Sequence, residues 1–182
     1  VDQEEPVPGL WLVYTGDGSH VRIPLPHESV PEGLMAAAIS PDGRTIAYSV
    51  TRGLGFGSAI WLCDSDGGNQ REVWRDETVV VGSLEWAPDG SRVAFTTLID
   101  SPVPFAEAGL WVMDAQGQDA RWIARMDGGH GQQPVWSHDA RRLYFVAREN
   151  YEDGRADREA TALVSTIRMV DVDSGKEGTM VP

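Results

Sequence analysis

Apolar residues in this chain fall into short runs, each closed by a polar turn rich in Gly, Asp or Ser. Thr45-Ile46-Ala47-Tyr48-Ser49-Val50, Ala59-Ile60-Trp61-Leu62-Cys63, Arg92-Val93-Ala94-Phe95 and Leu143-Tyr144-Phe145-Val146 are typical. Short β-branched and aromatic runs bounded by such turns predict strands rather than helices. The one helix-friendly stretch, Asp157 to Ala162, is short and polar. The pattern therefore predicts an all-β chain.

The runs repeat. Ser40-Pro41-Asp42-Gly43-Arg44-Thr45-Ile46-Ala47-Tyr48 aligns without gaps with Ala87-Pro88-Asp89-Gly90-Ser91-Arg92-Val93-Ala94-Phe95 and with Ser137-His138-Asp139-Ala140-Arg141-Arg142-Leu143-Tyr144-Phe145. A second motif recurs in step as Gly9-Leu10-Trp11-Leu12-Val13-Tyr14, Ala59-Ile60-Trp61-Leu62-Cys63-Asp64, Gly109-Leu110-Trp111-Val112-Met113-Asp114 and Thr166-Ile167-Arg168-Met169-Val170-Asp171. Pro presets the first turn position and Gly supplies the positive φ, so the first motif is a hairpin. The second ends in another Gly-bearing turn and leads to a short strand such as Arg71-Glu72-Val73-Trp74. Four strands in roughly 50 residues is the layout of a propeller blade.

The pattern (Ser/Ala)-Pro-Asp-Gly-x-x-(Ile/Val)-Ala-(Tyr/Phe), followed by (Ile/Leu)-Trp-(Leu/Val)-x-Asp, resembles the WD40-like β-propeller repeat called PD40. That repeat belongs to TolB-like propellers and to the propellers of prolyl-oligopeptidase-type enzymes. The resemblance runs from about Gly9 to Val181 and speaks for fold far more than for function. The last copy departs from it: His138 stands for Pro, Ala140 for Gly and Arg168 for Trp. A differently built turn is expected there.

Counted this way, residues 1–182 form one propeller domain of about three and a half blades: a partial blade over 9–25, then 34–74, 83–124 and 132–181. Closed propellers typically have about four to eight blades. The expectation is a fragment of a longer propeller, or an arc that closes by pairing with a second copy into seven blades with composite seams. The opening Val1-Asp2-Gln3-Glu4-Glu5 lacks an initiator Met, which points to a processed or excised segment.

Composition narrows the partners. Asp and Glu number 28 against 15 Lys and Arg, a formal charge of −13. That sign repels phosphate backbones, so nucleic acid is not expected. No apolar run approaches the ~18 residues of a membrane-spanning helix, so membrane insertion is not expected either. Cys63 cannot form an internal disulfide, being the one cysteine, and its place in a Trp-bearing strand makes it a small buried hydrophobe.

Strand order puts the loops between blades on one face with the loops joining the second and third strands of each blade. These loops are longer and more varied than the turns opposite, and binding usually lives on such loops. The partner-binding candidates on that face are His27, Asp76, Glu77, Asp127, His130, Tyr151 and Arg155. His130 and Asp127, in Met126-Asp127-Gly128-Gly129-His130, are the candidate metal ligands, set against a plain Gly-rich turn. His20 and His138 read as solvated or structural. The acidic runs Asp171-Val172-Asp173-Ser174-Gly175 and Asp64-Ser65-Asp66-Gly67 lack the calcium-loop pattern and coincide with repeat turns. No cofactor is expected. There is no Gly-x-Ser-x-Gly elbow, phosphate loop or paired metalloprotease His. Trp11, Trp61 and Trp111 recur at one repeat position and Trp86 and Trp136 at another, as blade packing requires. Trp74 and Trp122 lie in the outermost strands with partial exposure.

The functional expectation is a non-catalytic scaffold, periplasmic or extracellular, that binds a protein or peptide. The alternatives are the gating propeller segment of a prolyl-oligopeptidase-like hydrolase, whose catalytic domain lies elsewhere, and a propeller binding a small ligand or metal.

Overall fold

A computed structural model describes residues 9–23, 33–51, 56–99, 107–128, 133–148 and 165–180. Among the described residues, fourteen strands fall into four sheets. An outer pair comes first, β1 (Leu10–Val13) with β2 (His20–Ile23). Blade 1 follows as β3 (Gly33–Ile39), β4 (Thr45–Thr51), β5 (Ser58–Asp64) and β6 (Arg71–Asp76). Blade 2 is β7 (Val79–Trp86), β8 (Arg92–Ile99), β9 (Glu107–Asp114) and β10 (Arg121–Asp127). Blade 3 is β11 (Val135–Trp136), β12 (Arg142–Arg148), β13 (Ser165–Asp171) and β14 (Glu177–Thr179). Every blade is an antiparallel meander in chain order. The fold is a partial β-propeller.

The repeat turns explain the hairpins. Gly43 and Gly90 sit at φ +73° and +72°, each donating its amide to the carbonyl three residues back. Ala140 adopts the same left-handed backbone at φ +57°, and its amide reaches the Ser137 carbonyl at 3.0 Å. The last turn is thus built like the other two, not differently as its sequence suggests. Surrounding hydrogen bonds hold an alanine where glycine is preferred.

Blades pack face to face. Leu10, Leu12 and Ile23 of the outer pair meet Tyr48, Val50 and Cys63 of blade 1. Ile60, Leu62 and Trp74 of blade 1 meet Leu84, Phe95 and Trp111 of blade 2. Leu110 and Val112 of blade 2 join Leu143 and Phe145 of blade 3. Polar stitches recur with the repeat. The indoles of Trp86 and Trp136 each donate, at 3.2 Å, to an inner-strand carbonyl of the preceding blade, Ala38 and Glu85 respectively. Arg71 and Arg121 reach forward to the Gln116 and Val172 carbonyls of the next blade, at 3.1 and 2.6 Å. A contact that recurs at one repeat position is a property of the blade, which is why Trp86 and Trp136 are buried; Trp61 and Trp111 are half-buried, and Trp11, expected in the core, is 42% exposed in the outer pair. At the last blade the same position lies open. Ile60 and Leu110 are fully buried, but their counterpart Ile167 is 48% exposed.

Acidic turns give the fold a pH dependence. Asp17, Asp42, Asp76, Asp89, Asp139 and Asp171 are all held below the usual carboxylate value of 3.8. A neighbouring Ser or Thr hydroxyl is the main cause in five of them, and the Ser19 amide in Asp17. A depressed carboxylate stabilises the fold above its unfolded value, and that stability is lost as pH falls through the folded one. Burial moves Glu85 the other way, favouring the fold at low pH until pH rises through its raised value. Among the described residues six shifted carboxylates oppose one. The melting temperature is therefore expected to hold steady from neutral pH to about pH 5 and to fall below about pH 4. Melts across this range check it, and an unchanged midpoint at pH 3 contradicts it.

Candidate functional site

The face carrying the inter-blade loops holds the ends of β6, β8, β10 and β12 and the starts of β5, β7, β9 and β13. Asp76 caps the tight turn from β6 to β7, its Oδ1 accepting the Thr78 amide and hydroxyl, both at 2.7 Å. Glu77 lies 4.0 Å from Arg75, with its side chain 73% exposed. Asp127 is tied to blade 3. Its Oδ1 is 2.8 Å from Nη2 of Arg148, its Oδ2 accepts the Ser165 hydroxyl at 3.1 Å, and both charged side chains are nearly buried. The aspartate clasps blade 2 to blade 3. His27, His130, Tyr151 and Arg155 lie outside the described residues. Among the described residues no three His, Cys, Asp or Glu gather as metal ligands.

The other chemical candidates have structural employment. Asp171 Oδ1 accepts the Ser174 amide and hydroxyl, Asp173 pairs with Arg92 at 2.7 Å, and Asp64 accepts from the Asn69 amide group. Cys63 is buried, and burial pushes its thiol up to about 11, far from a reactive thiolate at neutral pH. His20 lies against the Trp11 ring at 5.5 Å, and His138 is exposed in its turn.

The same half of blade 2 carries an open cleft of about 290 Å³ that the sequence reading did not single out. Thr97, Ile99, Gly109, Trp111, Trp122 and Arg125 line it. The Trp111 indole donates to the Thr97 hydroxyl at 3.0 Å. A Cβ on Gly109 would sit 2.7 Å from that hydroxyl and 2.8 Å from the indole nitrogen, so only glycine fits there. Register pairs Trp122 with Trp111 and Arg125 with Gly109, and a bulge lies between Trp122 and Ala124. In a regular strand residues three apart face opposite ways. The bulge turns Trp122 and Arg125 to one side.

Blade 1 fills the matched positions with other side chains. Val50, Ala59, Glu72 and Arg75 occupy the positions of Thr97, Gly109, Trp122 and Arg125. A bulge again aligns the outer pair, and there Arg75 and Glu72 form a bidentate ion pair. Blade 2 departs from blade 1 at three of these four positions. That departure was legible in the aligned sequences. A larger cavity of about 480 Å³ lies on the opposite face, but the Pro-Asp-Gly turns themselves line it.

No family model matches the chain. Among curated proteins it is similar to dipeptidyl-peptidase 5 of Porphyromonas endodontalis, 28% identical over 127 residues, and to a putative tricorn-like protease C-terminal subunit of Sulfurisphaera tokodaii, 25% identical over 114. These matches take in 64% and 63% of this chain but 17% and 12% of the relatives. The chain thus spans under a fifth of their length. Among solved structures, the β-propeller domain of the trilobed protease from Pyrococcus furiosus matches 93% of this chain and 47% of its own, at 16% identity and a TM-score of 0.57. A putative TolB from Agrobacterium tumefaciens matches 84% and 50%, at 20% identity and 0.53. The chain is a partial β-propeller built on the four-stranded blade that peptidase and TolB-like propellers share.

Proposed function

We propose that this chain is a non-catalytic segment of a larger propeller that binds a protein or peptide on its inter-blade loop face, in the periplasm or outside the cell. The observation that carries the reading is the blade 2 cleft. Trp122 is 52% exposed and Ile99 62%, and large apolar side chains held open beside a cleft mark an interaction site. The test is amide-resolved NMR of the chain with a peptide mixture from a digested unfolded protein. Shifts are expected at the loop-face ends of β8, β9 and β10. Shifts confined to the opposite turns, or none at millimolar peptide, overturn the reading.

The two peptidase relatives favour a second version, in which the segment admits substrate to a hydrolase. An α/β-hydrolase region in the same reading frame decides for it, and its absence there decides against it. Closure by a second copy has a topological cost. Each copy brings an outer pair (β1 with β2) and three complete blades. A composite blade also needs an inner pair, which neither described arc supplies. Further blades of a longer polypeptide meet that need, so light scattering is expected to show no ring-closing dimer.

A further inference from the structure

The cavity of about 480 Å³ on the turn face lies at the seam between blades 1 and 2. Asp42 and Thr45 line it from blade 1, and Trp86, Asp89 and Gln116 line it from blade 2. The two Pro-Asp-Gly turns are adjacent there, since a Cβ on Gly90 would lie 3.8 Å from the Pro41 ring. The seam between blades 2 and 3 has the same elements, and backbone hydrogen bonds fix which residues match. The carbonyls of Thr45 and Arg92 accept from Ser40 and Ala87, and the amides of Ala115 and Val172 donate to Ser91 and Arg141. Thr45 therefore matches Arg92, and Gln116 matches Asp173. At the second seam these positions form an ion pair, Arg92 with Asp173 at 2.7 Å. At the first seam they hold Thr45 and Gln116, and both border open space. We propose that this cavity receives an arginine side chain of a partner protein, held by the Asp42 and Asp89 carboxylates and supplying the guanidinium that Arg92 supplies at the next seam. The site lies on the face opposite the loops, so it goes beyond the peptide-binding reading and does not rest on it.

The chemistry of the lining selects a guanidinium. Oδ1 of Asp42 accepts the Ser40 hydroxyl and the Arg44 amide, and Oδ1 of Asp89 accepts the Ser91 hydroxyl and amide. Among the described residues no hydrogen bond reaches Oδ2 of either, and neither carboxylate forms an ion pair. The Ser40 and Ser91 hydroxyls, ahead of the turn amides, hold both groups below the usual carboxylate value, so both are charged at neutral pH. Nearby cations are engaged or exposed. Arg92 pairs with Asp173, Arg71 donates to the Gln116 carbonyl at 3.1 Å, and the exposed Arg44 is a lesser influence on Asp42. Two carboxylates suit the planar fork of one guanidinium, which takes up several acceptors at once. Pro41, Pro88 and Trp86 offer apolar surface to the methylene stem of the same side chain. A divalent ion asks for more donors, and among the described residues no third His, Cys, Asp or Glu joins the two aspartates. The volume falls within the usual range of about 300–1,000 Å³ for ligand pockets. The formal charge of −13 favours the approach of a cationic partner.

The probes are N-acetylargininamide, N-acetyllysinamide and the uncharged N-acetylcitrullinamide, at low ionic strength. The readout is the Trp86 indole N–H resonance together with the backbone amides of Gly43, Gly90 and Gln116. N-acetylargininamide is expected to move these resonances with a dissociation constant on the order of 1 mM. The lysine compound, a point charge without the fork, should bind at least about threefold more weakly, and the citrulline compound at least about tenfold. Thr45→Arg with Gln116→Asp copies the second seam and should abolish the response. That double variant leaves the net charge unchanged, so it separates the cavity from general attraction to an acidic chain. Asp42→Asn with Asp89→Asn keeps the Oδ1 acceptors of both turns and should weaken binding at least about tenfold. Retained amide dispersion shows that each variant is folded. Equal binding of the arginine and citrulline compounds overturns the proposal, as does lysine binding as tightly as arginine. A response undiminished in either double variant overturns it too, as does no shift at ~20 mM ligand. If N-acetylargininamide fails while mixed peptides still shift the loop-face amides, this site falls and the peptide-binding reading stands. Shifts at the turns alone leave this site and remove that reading.

Discussion

Phe95→Ala is expected to cost about 3–5 kcal/mol and to lower the melting temperature by roughly 10 °C, the largest loss from any single core truncation in the arc. Phe95 is fully buried at the centre of the contact between blades 1 and 2. It meets Trp74 of blade 1 edge-on, with ring centroids 5.1 Å apart, and stacks on Trp111 of its own blade at 5.9 Å and 14°. Truncation leaves a void between two rigid sheets that cannot close on it, so the cavity adds to the lost transfer energy. Against a typical domain stability of about 5–15 kcal/mol, the loss threatens folding at ordinary temperature. Trp122→Phe, on the open side of the same blade, should stay within about 0.5 kcal/mol. Thermal melts of both variants check the contrast. A drop under about 1 kcal/mol for Phe95→Ala would mean that these two blades do not cohere through this aromatic group.

The architecture was legible because a propeller writes its core into a repeat. Trp61 and Trp111 sit at one register position, Trp86 and Trp136 at another, and blade geometry gives the second pair the same contact with the preceding blade. What the alignment could not carry was any contact specific to one blade. The partners of Asp127 lie 21 and 38 residues away in sequence, on another blade. Of the proposed pair, His130 lies outside the described residues, and Asp127 is held by residues far from it in sequence. Ala140 shows the converse: the residue departs from the pattern, but the turn keeps its shape because the hydrogen bonds around it are those of Gly43 and Gly90. The cleft is the instructive miss. Gly109, Thr97 and Trp122 differ from Ala59, Val50 and Glu72 at matched positions, and a repeat read for likeness alone averages such differences away. The strand bulge that brings Trp122 and Arg125 together leaves no mark in periodicity.

Asp127→Ala is expected to destabilise the chain by about 3 kcal/mol, through structure and not through a lost metal. The carboxylate spans two strands of blade 3, accepting from Arg148 on β12 and from Ser165 on β13. The Asp127 and Arg148 side chains are 11% and 8% exposed, so removing the carboxylate takes an ionic partner from a guanidinium in poorly solvated surroundings. That desolvation penalty, rather than the intrinsic worth of the pair, sets the size of the effect. The double variant Asp127→Leu with Arg148→Leu separates the two contributions. With both charges gone and apolar volume in their place, a substantial part of the loss should return, because a buried pair and an apolar replacement are often close in free energy. A metal-ligand role predicts a different pattern. Alanine would then relieve repulsion in the metal-free chain, and calcium or zinc would raise the melting temperature of the parent but not of the variant. Melts of the parent, the single and the double variant, each with and without the ions, distinguish the two. Destabilisation below about 1 kcal/mol together with an ion-dependent rise in the parent would return Asp127 to the metal reading, and a large ion-independent loss assigns it to the clasp between blades 2 and 3.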